Sequence, residues 1–191
     1  MARVCREAGA RVRTNVLLRD MNVNVAAHDG RRIEVLAQGL PCFNGAQLAV
    51  DVTLRCALDS AGQPRPHAAT TDGAVLEQAR EDKERTYQEL VGSSRCKLVV
   101  VGVETGGRWS SEAVAFVRQL AYARARDAPA FLQFATTGAW ERRWTRMLSC
   151  ACAASFAASL VEPAIDSACR ELHAGPVPSV AELFEQGGGR S

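Results

Sequence analysis

Lysine is almost missing from this chain. Of its 23 basic residues only Lys83 and Lys97 are lysines; the other basic residues are arginines. A bias of that kind follows codon composition, and it makes each lysine conspicuous. Long apolar runs are missing too. The longest, Cys150 to Val161, is about twelve residues and interrupted by serines, short of the roughly 20 that a membrane helix needs. The N-terminal MARVCREAGARVRTN has charges but no apolar stretch behind it, so no secretory signal is expected there. There is no CxxC pair and no Cys/His set with zinc spacing. No internal repeat is evident.

What is present suits one domain with a helical appendage: 191 residues, 47% hydrophobic and 23% charged. The net charge of +2 excludes a uniformly basic coat, though not a local basic patch. Residues 1–35 carry seven basic and four acidic side chains, 36–110 eight and nine, and 111–191 eight of each. Seven cysteines, at 5, 42, 56, 96, 150, 152 and 169, are expected to be small core residues in a reducing compartment. Cys5, flanked by charge, is the expected exception. An intracellular location is expected, nuclear if the protein acts on DNA, with no membrane association.

The patterning predicts an α/β fold, a small mixed sheet flanked by helices with a C-terminal helical extension. Residues 8–20 place Val12, Val16 and Leu17 at helical spacing. Residues 22–25 read as a short strand or extended loop, and His28-Asp29-Gly30 as a turn. Arg32–Leu36 and Gln47–Leu54 read as strands, and 59–73 as a polar surface loop. A helix is predicted from Ala74 to Leu90 with Asp72 as its N-cap. The apolar run Lys97–Val103 suits a strand buried on both faces. Ser110 begins a helix running to about Arg126, and the chain after Pro129 reads as helical, with a stop or kink at Pro163.

Two acids interrupt apolar strands: Glu34 in Ile33-Glu34-Val35-Leu36, and Asp51 in Ala49-Val50-Asp51-Val52. A carboxylate in a core strand is costly unless paired, hydrogen-bonded or bound to a cation. Two on neighbouring strands can hold a divalent metal such as Mg²⁺, which activates water and stabilises a leaving oxyanion in phosphodiester cleavage. Lys83 and Tyr87 share a face of the following helix, where the ammonium could meet phosphate charge. Glu34 could equally face solvent on a half-exposed strand, Lys83 could belong to a solvated charge run, and Tyr87 could be a packing residue. Arg108 with Trp109, and Arg142, Arg143 and Arg146 beside Trp140 and Trp144, are candidate DNA contacts. The last set could also form a solvated amphipathic helix.

This ordered set, with Arg32-Ile33-Glu34, then Asp51, then Lys83-x-x-x-Tyr87, resembles the restriction-enzyme-like endonuclease domain of site-specific non-LTR retrotransposons, in the PD-(D/E)xK superfamily. The likeness covers about residues 10–125. It implies a metal held by Glu34 and Asp51, with Lys83 stabilising the phosphate and Tyr87 positioning it. It also implies DNA as substrate, and a detached or truncated nuclease end with no reverse transcriptase portion. Ile33-Glu34 stands where the family has Pro-Asp, and Thr53 where the superfamily usually has lysine. A catalytically inactive remnant or DNA-binding domain is therefore the alternative, as is a protein-interaction module docking through Trp140 and Trp144. The expected division is an endonuclease-like core at 8–127, a helical extension at 128–174, and a linker, short helix and frayed tail at 175–191.

Overall fold

The computed structural model describes residues 1–21 and 23–173, with side chains as far as residue 160. The segment expected as linker, short helix and tail, 175–191, lies outside the described residues. The fold is mixed α/β, with four strands and four α-helices among the described residues. Helix α1 spans Ala2–Glu7, strand β1 Arg11–Leu17, β2 Arg32–Gln38 and β3 Gln47–Arg55. Helix α2 follows at Ala74–Thr86, then β4 at Cys96–Glu104, α3 at Ser111–Ala125 and α4 at Gln133–His173. The strands lie side by side in the order β1-β2-β3-β4. The first two pairings are antiparallel and β3–β4 is parallel, so the sheet is mixed as the patterning predicts. A parallel pair needs a crossover longer than a hairpin, and α2 with its flanking loops provides it.

The core divides into two layers, one on each face of the sheet, and side-chain alternation along β2 breaks at Glu34, so that Ile33 and Val35 belong to opposite layers. On one face Val35, Ala37, Leu48, Val50, Val99 and Val101 pack against Val4 and Cys5 of α1, Phe116 and Leu120 of α3, and Trp144 and Leu148 of α4. On the other, Ile33, Leu36, Ala49, Leu98 and Val100 pack against Tyr87 and Leu90, just beyond α2. Strand β4 is buried on both faces, which is why its sequence is a continuous apolar run.

Several elements differ from expectation. Residues 8–20 do not form a helix. Arg11-Val12-Arg13-Thr14 also alternates at period two, and pairing with β2 from Arg11↔Gln38 to Leu17↔Arg32 makes this segment an edge strand. Its outward arginines suit an unpaired edge. Asn15 breaks the strand locally at φ 55, a conformation that asparagine tolerates better than most residues. Residues 2–7, for which no element was predicted, form α1. Asp72 is not the α2 cap: Gly73 takes that position with φ 80, where a side chain would be strained, and Asp72 reaches Arg108 instead. Helix α2 ends at Thr86, and Gln88–Leu90 forms a separate 3₁₀ turn. Pro163 does not end α4, which continues to His173.

The cysteines also depart from the expected pattern. Cys5, the presumed exception, is fully buried, and burial pushes its thiol up to about 11. Of the other described cysteines only Cys96 is buried, while Cys56 and Cys150 are exposed.

The chain divides into two compact units, Met1–Cys152 and Ala153–Ser191. The described part of the second is the continuation of α4. No helix among the described residues is long and apolar enough to cross a membrane.

Candidate functional site

The second face of the sheet carries the chemistry-bearing residues. Asp51 has the same strand parity as Ala49, so it points towards the α2 side. It is 1% exposed, the only buried charged side chain among the described residues. Lys83, on α2, brings its Nζ to 2.9 Å from Asp51 Oδ2. That oxygen meets no donor with hydrogen-bond geometry, so the contact is one of charge at close range rather than an aligned bond. The Lys83 ammonium is already the cation beside this oxygen, so a metal ion at Asp51 would have to displace it.

Glu34 joins the cluster through register. The β2–β3 ladder runs Ala37↔Leu48, Leu36↔Ala49 and Val35↔Val50, and it brings Glu34, the next residue of β2, close to Asp51 and Val52 of β3. Backbone pairing stops at Val35↔Val50, and the Val52 N–H instead donates to Glu34 Oε2 at 3.2 Å. On the other side of β2, Asn15 interrupts β1 between the pairs Thr14↔Val35 and Val16↔Ile33. The residue as a whole is exposed, while its carboxylate end tucks against β3. Partial burial first, and the negative charge of Asp51 second, raise the Glu34 pKa above its ordinary value. The two carboxylates therefore sense each other.

Tyr87 completes the group. Its ring is buried among the second-face residues and its hydroxyl donates to the Arg32 carbonyl at 2.9 Å. Burial, then the charge of Asp51, holds the phenol far above its usual pKa, so it stays protonated. This hydrogen bond makes Tyr87 a brace between the end of α2 and the start of β2. Arg31 reinforces the brace with ion pairs at 2.6 Å to both Asp29 and Glu89, a clasp that the sequence reading missed. Only the turn signal at 28–30 marked its neighbourhood.

Glu34, Asp51, Lys83 and Tyr87 are thus brought together; the candidate DNA contacts are not brought to them. Arg108 is exposed and pairs with Asp72 at 2.7 Å, and Trp109 packs against the first-face core. Arg142, Arg143 and Arg146 are exposed on α4, which covers the first face, across the sheet from the carboxylates. Arg143 lies over the Trp140 ring at 5.8 Å and near Glu7. Trp144 is fully buried, stacks on Trp140 at 5.2 Å and donates its indole N–H to Glu7 at 2.8 Å. It is a core residue, so docking of a partner through Trp144 is corrected to internal packing.

A cavity of about 640 Å³ opens between α2, α3 and β4, bordered by Asp72, Arg80, Glu81, Arg108 and Glu112. It also touches Val100, the ladder neighbour of Asp51, but neither Asp51 nor Lys83 lines it. No group of three or more His, Cys, Asp or Glu suited to a metal occurs among the described residues. Two carboxylates are nonetheless enough for Mg²⁺, which usually completes its shell with water and phosphate oxygens. The donor set fits: a pair of carboxylates in mutual repulsion, one with a buried oxygen lacking a directed donor.

Neither a known protein family nor a curated protein matches this chain.

Proposed function

We propose that this chain is a Mg²⁺-dependent endonuclease domain of retroelement type that nicks one strand of DNA. The observation that carries the reading is the buried Asp51, paired with the helix-borne Lys83 and with Glu34 close by on the adjoining strand. Support also comes from the mixed sheet flanked by helices, the core that the retrotransposon nuclease likeness implies. Glu34 and Asp51 would hold the ion, which when bound supplies a polarised water and charge stabilisation for the leaving oxygen.

The chain's own residues do the rest. Lys83, one quarter exposed, can turn its ammonium from Asp51 to a non-bridging phosphate oxygen. Tyr87, bonded to the Arg32 carbonyl, fixes α2 against β2 and so sets the Lys83 height above the carboxylates. In the reaction the water oxygen bonds to phosphorus, the bond from phosphorus to the 3′ oxygen breaks, and a proton from the water ends on that oxygen. The products are a 3′-hydroxyl and a 5′-phosphate.

Purified protein is expected to convert supercoiled plasmid to open circles in Mg²⁺ and not in EDTA. Asp51→Asn, which preserves shape, is expected to lower the nicking rate at least about a hundredfold, the scale of losing an electrostatic catalytic group. An unchanged rate in that variant would overturn the assignment.

A second reading, a DNA-binding remnant without catalysis, is favoured by the Asp51–Lys83 pair itself, since the pair already neutralises the buried charge. Ile33-Glu34 and Thr53 point the same way. DNA binding without cleavage in either Mg²⁺ or Mn²⁺ would select it.

A further inference from the structure

The first-face layer carries a feature that the candidate site does not use. Arg118 and Tyr122 of α3 and Arg126 at its C-cap recur every fourth residue, forming one stripe. With Pro41, Cys42 and Phe43 they line an open groove of about 430 Å³. Tyr122 is 62% exposed. In the connection from α3 to α4 and the first turn beyond it, Phe131 is 83% and Phe134 94% exposed. Three aromatic rings left to solvent are not core residues, and each offers a face.

The charge along this stretch of the chain is one-sided. From 118 to 146 the chain has six arginines against only Asp127 and Glu141. Those two acids pair with Arg124 at 3.0 Å and Arg118 at 3.3 Å, and Glu7 lies 3.5 Å from Arg143, which leaves Arg126, Arg142 and Arg146 as the positive excess.

We infer that this surface binds single-stranded DNA, with arginines meeting phosphates and Tyr122, Phe131 and Phe134 stacking on unpaired bases. The charge selects a polyanion. The exposed rings select a single strand, because bases within a duplex are already stacked and cannot offer their faces. The inference rests on the reading of DNA as substrate and adds a second surface, on the opposite layer of the sheet from Glu34 and Asp51. A strand freed at the nick is the natural occupant.

The test is fluorescence anisotropy of the full chain with labelled oligothymidylate of about 20 nucleotides, longer than the roughly 4–16 that a stacking groove covers. It is run in EDTA at about 50 mM salt, where phosphate contacts are strong. The oligothymidylate is expected to bind tighter than a duplex of equal length. Phe131→Ser/Phe134→Ser, both at exposed positions, is expected to weaken binding at least about tenfold, the loss of one or two stacked bases. Arg126→Gln is expected to flatten the salt dependence.

Absence of binding, or equal affinity in the double serine variant, overturns the proposal. So does self-association of the native chain that the double variant abolishes while oligonucleotide affinity is unchanged, since the aromatics then serve a second copy. Because EDTA prevents Mg²⁺-dependent cleavage, binding there with no nicking in Mg²⁺ removes the nuclease reading alone. Nicking without single-strand binding removes this inference alone.

Discussion

Asp51 concentrates the energetic risk of the fold in one side chain. A carboxylate this deeply buried is tolerated because Lys83 reaches it. Breaking a buried pair costs more than the pair is worth, since the remaining charge stays desolvated. Lys83→Met should therefore destabilise the protein by about 3 kcal/mol, the lower end for such pairs because Lys83 is partly exposed. Adding Asp51→Asn to it should recover most of that loss, measured as urea midpoints of the two variants. Added Mg²⁺ should raise the melting temperature of Lys83→Met more than that of Asp51→Asn, as a cation replaces the missing ammonium. Much of this cluster was legible in the sequence, because an acid inside Ala49-Val50-Asp51-Val52 cannot be ordinary strand chemistry and lysines are so scarce. The Tyr87 hydrogen bond to Arg32 and the Arg31 clasp were not legible. The Tyr87–Arg32 bond and the Glu89 half of the clasp join residues 55 or more positions apart through side-chain geometry that no local pattern encodes.

Among the elements, α3 has the most definite start. Ser110 Oγ accepts from the Ala113 N–H at 3.2 Å, and the Gly102 N–H of β4 lies 3.4 Å from the same oxygen. One hydroxyl thus caps the helix and ties it to β4, which fixes the first-face layer against the sheet. Ser110→Ala should cost about 1–2 kcal/mol, the upper range for a cap because two donors lose their acceptor, read from denaturant unfolding. Ser110→Asp should retain most of the stability, whereas a loss equal to that of alanine would show that the cap contributes nothing. Strands β2, β3 and β4 and helix α3 were readable because period and length agreed. Strand β1 was not, since Val12, Val16 and Leu17 satisfy a helical spacing while Arg11-Val12-Arg13-Thr14 satisfies a strand. Pairing with β2, a tertiary effect, decided between them. Helix α1 escaped notice because six residues are too short to show a period, and its order comes from burying Val4 and Cys5 against the sheet.

At the scale of the first compact unit, the two chain-distant helices α1 and α4 are joined by a single carboxylate. Glu7 accepts from the Trp144 indole at 2.8 Å and from Arg3 at 2.8 Å, with Arg143 at 3.5 Å. The Trp144 hydrogen bond first, and the Arg3 bond second, lower its pKa from 4.5 to about 2. A depressed carboxylate pKa means that the unfolded chain binds its proton more readily than the folded one. The Glu7 contribution is therefore fully present above pH 4.5 and is lost as pH falls towards about 2. Glu34 acts with the opposite sign: its raised pKa makes ionisation a cost in the folded state, one that acid relieves. Acid sensitivity of this unit should accordingly depend on Glu7, together with Asp29 and Glu89, whose pKa values the hydrogen bonds from Arg31 also lower, and not on Glu34. Glu7→Gln keeps an acceptor for the indole but has no charge to titrate. Its urea midpoint should lie below the native one at neutral pH, and the gap should close through that acid window. In Glu34→Gln the native advantage should not shrink towards acid; the variant should instead match or exceed the native protein at neutral pH. A Glu7→Gln gap that stays constant down to pH near 2 would show that α1 and α4 are held by the packing of Val4, Cys5 and Trp144 alone.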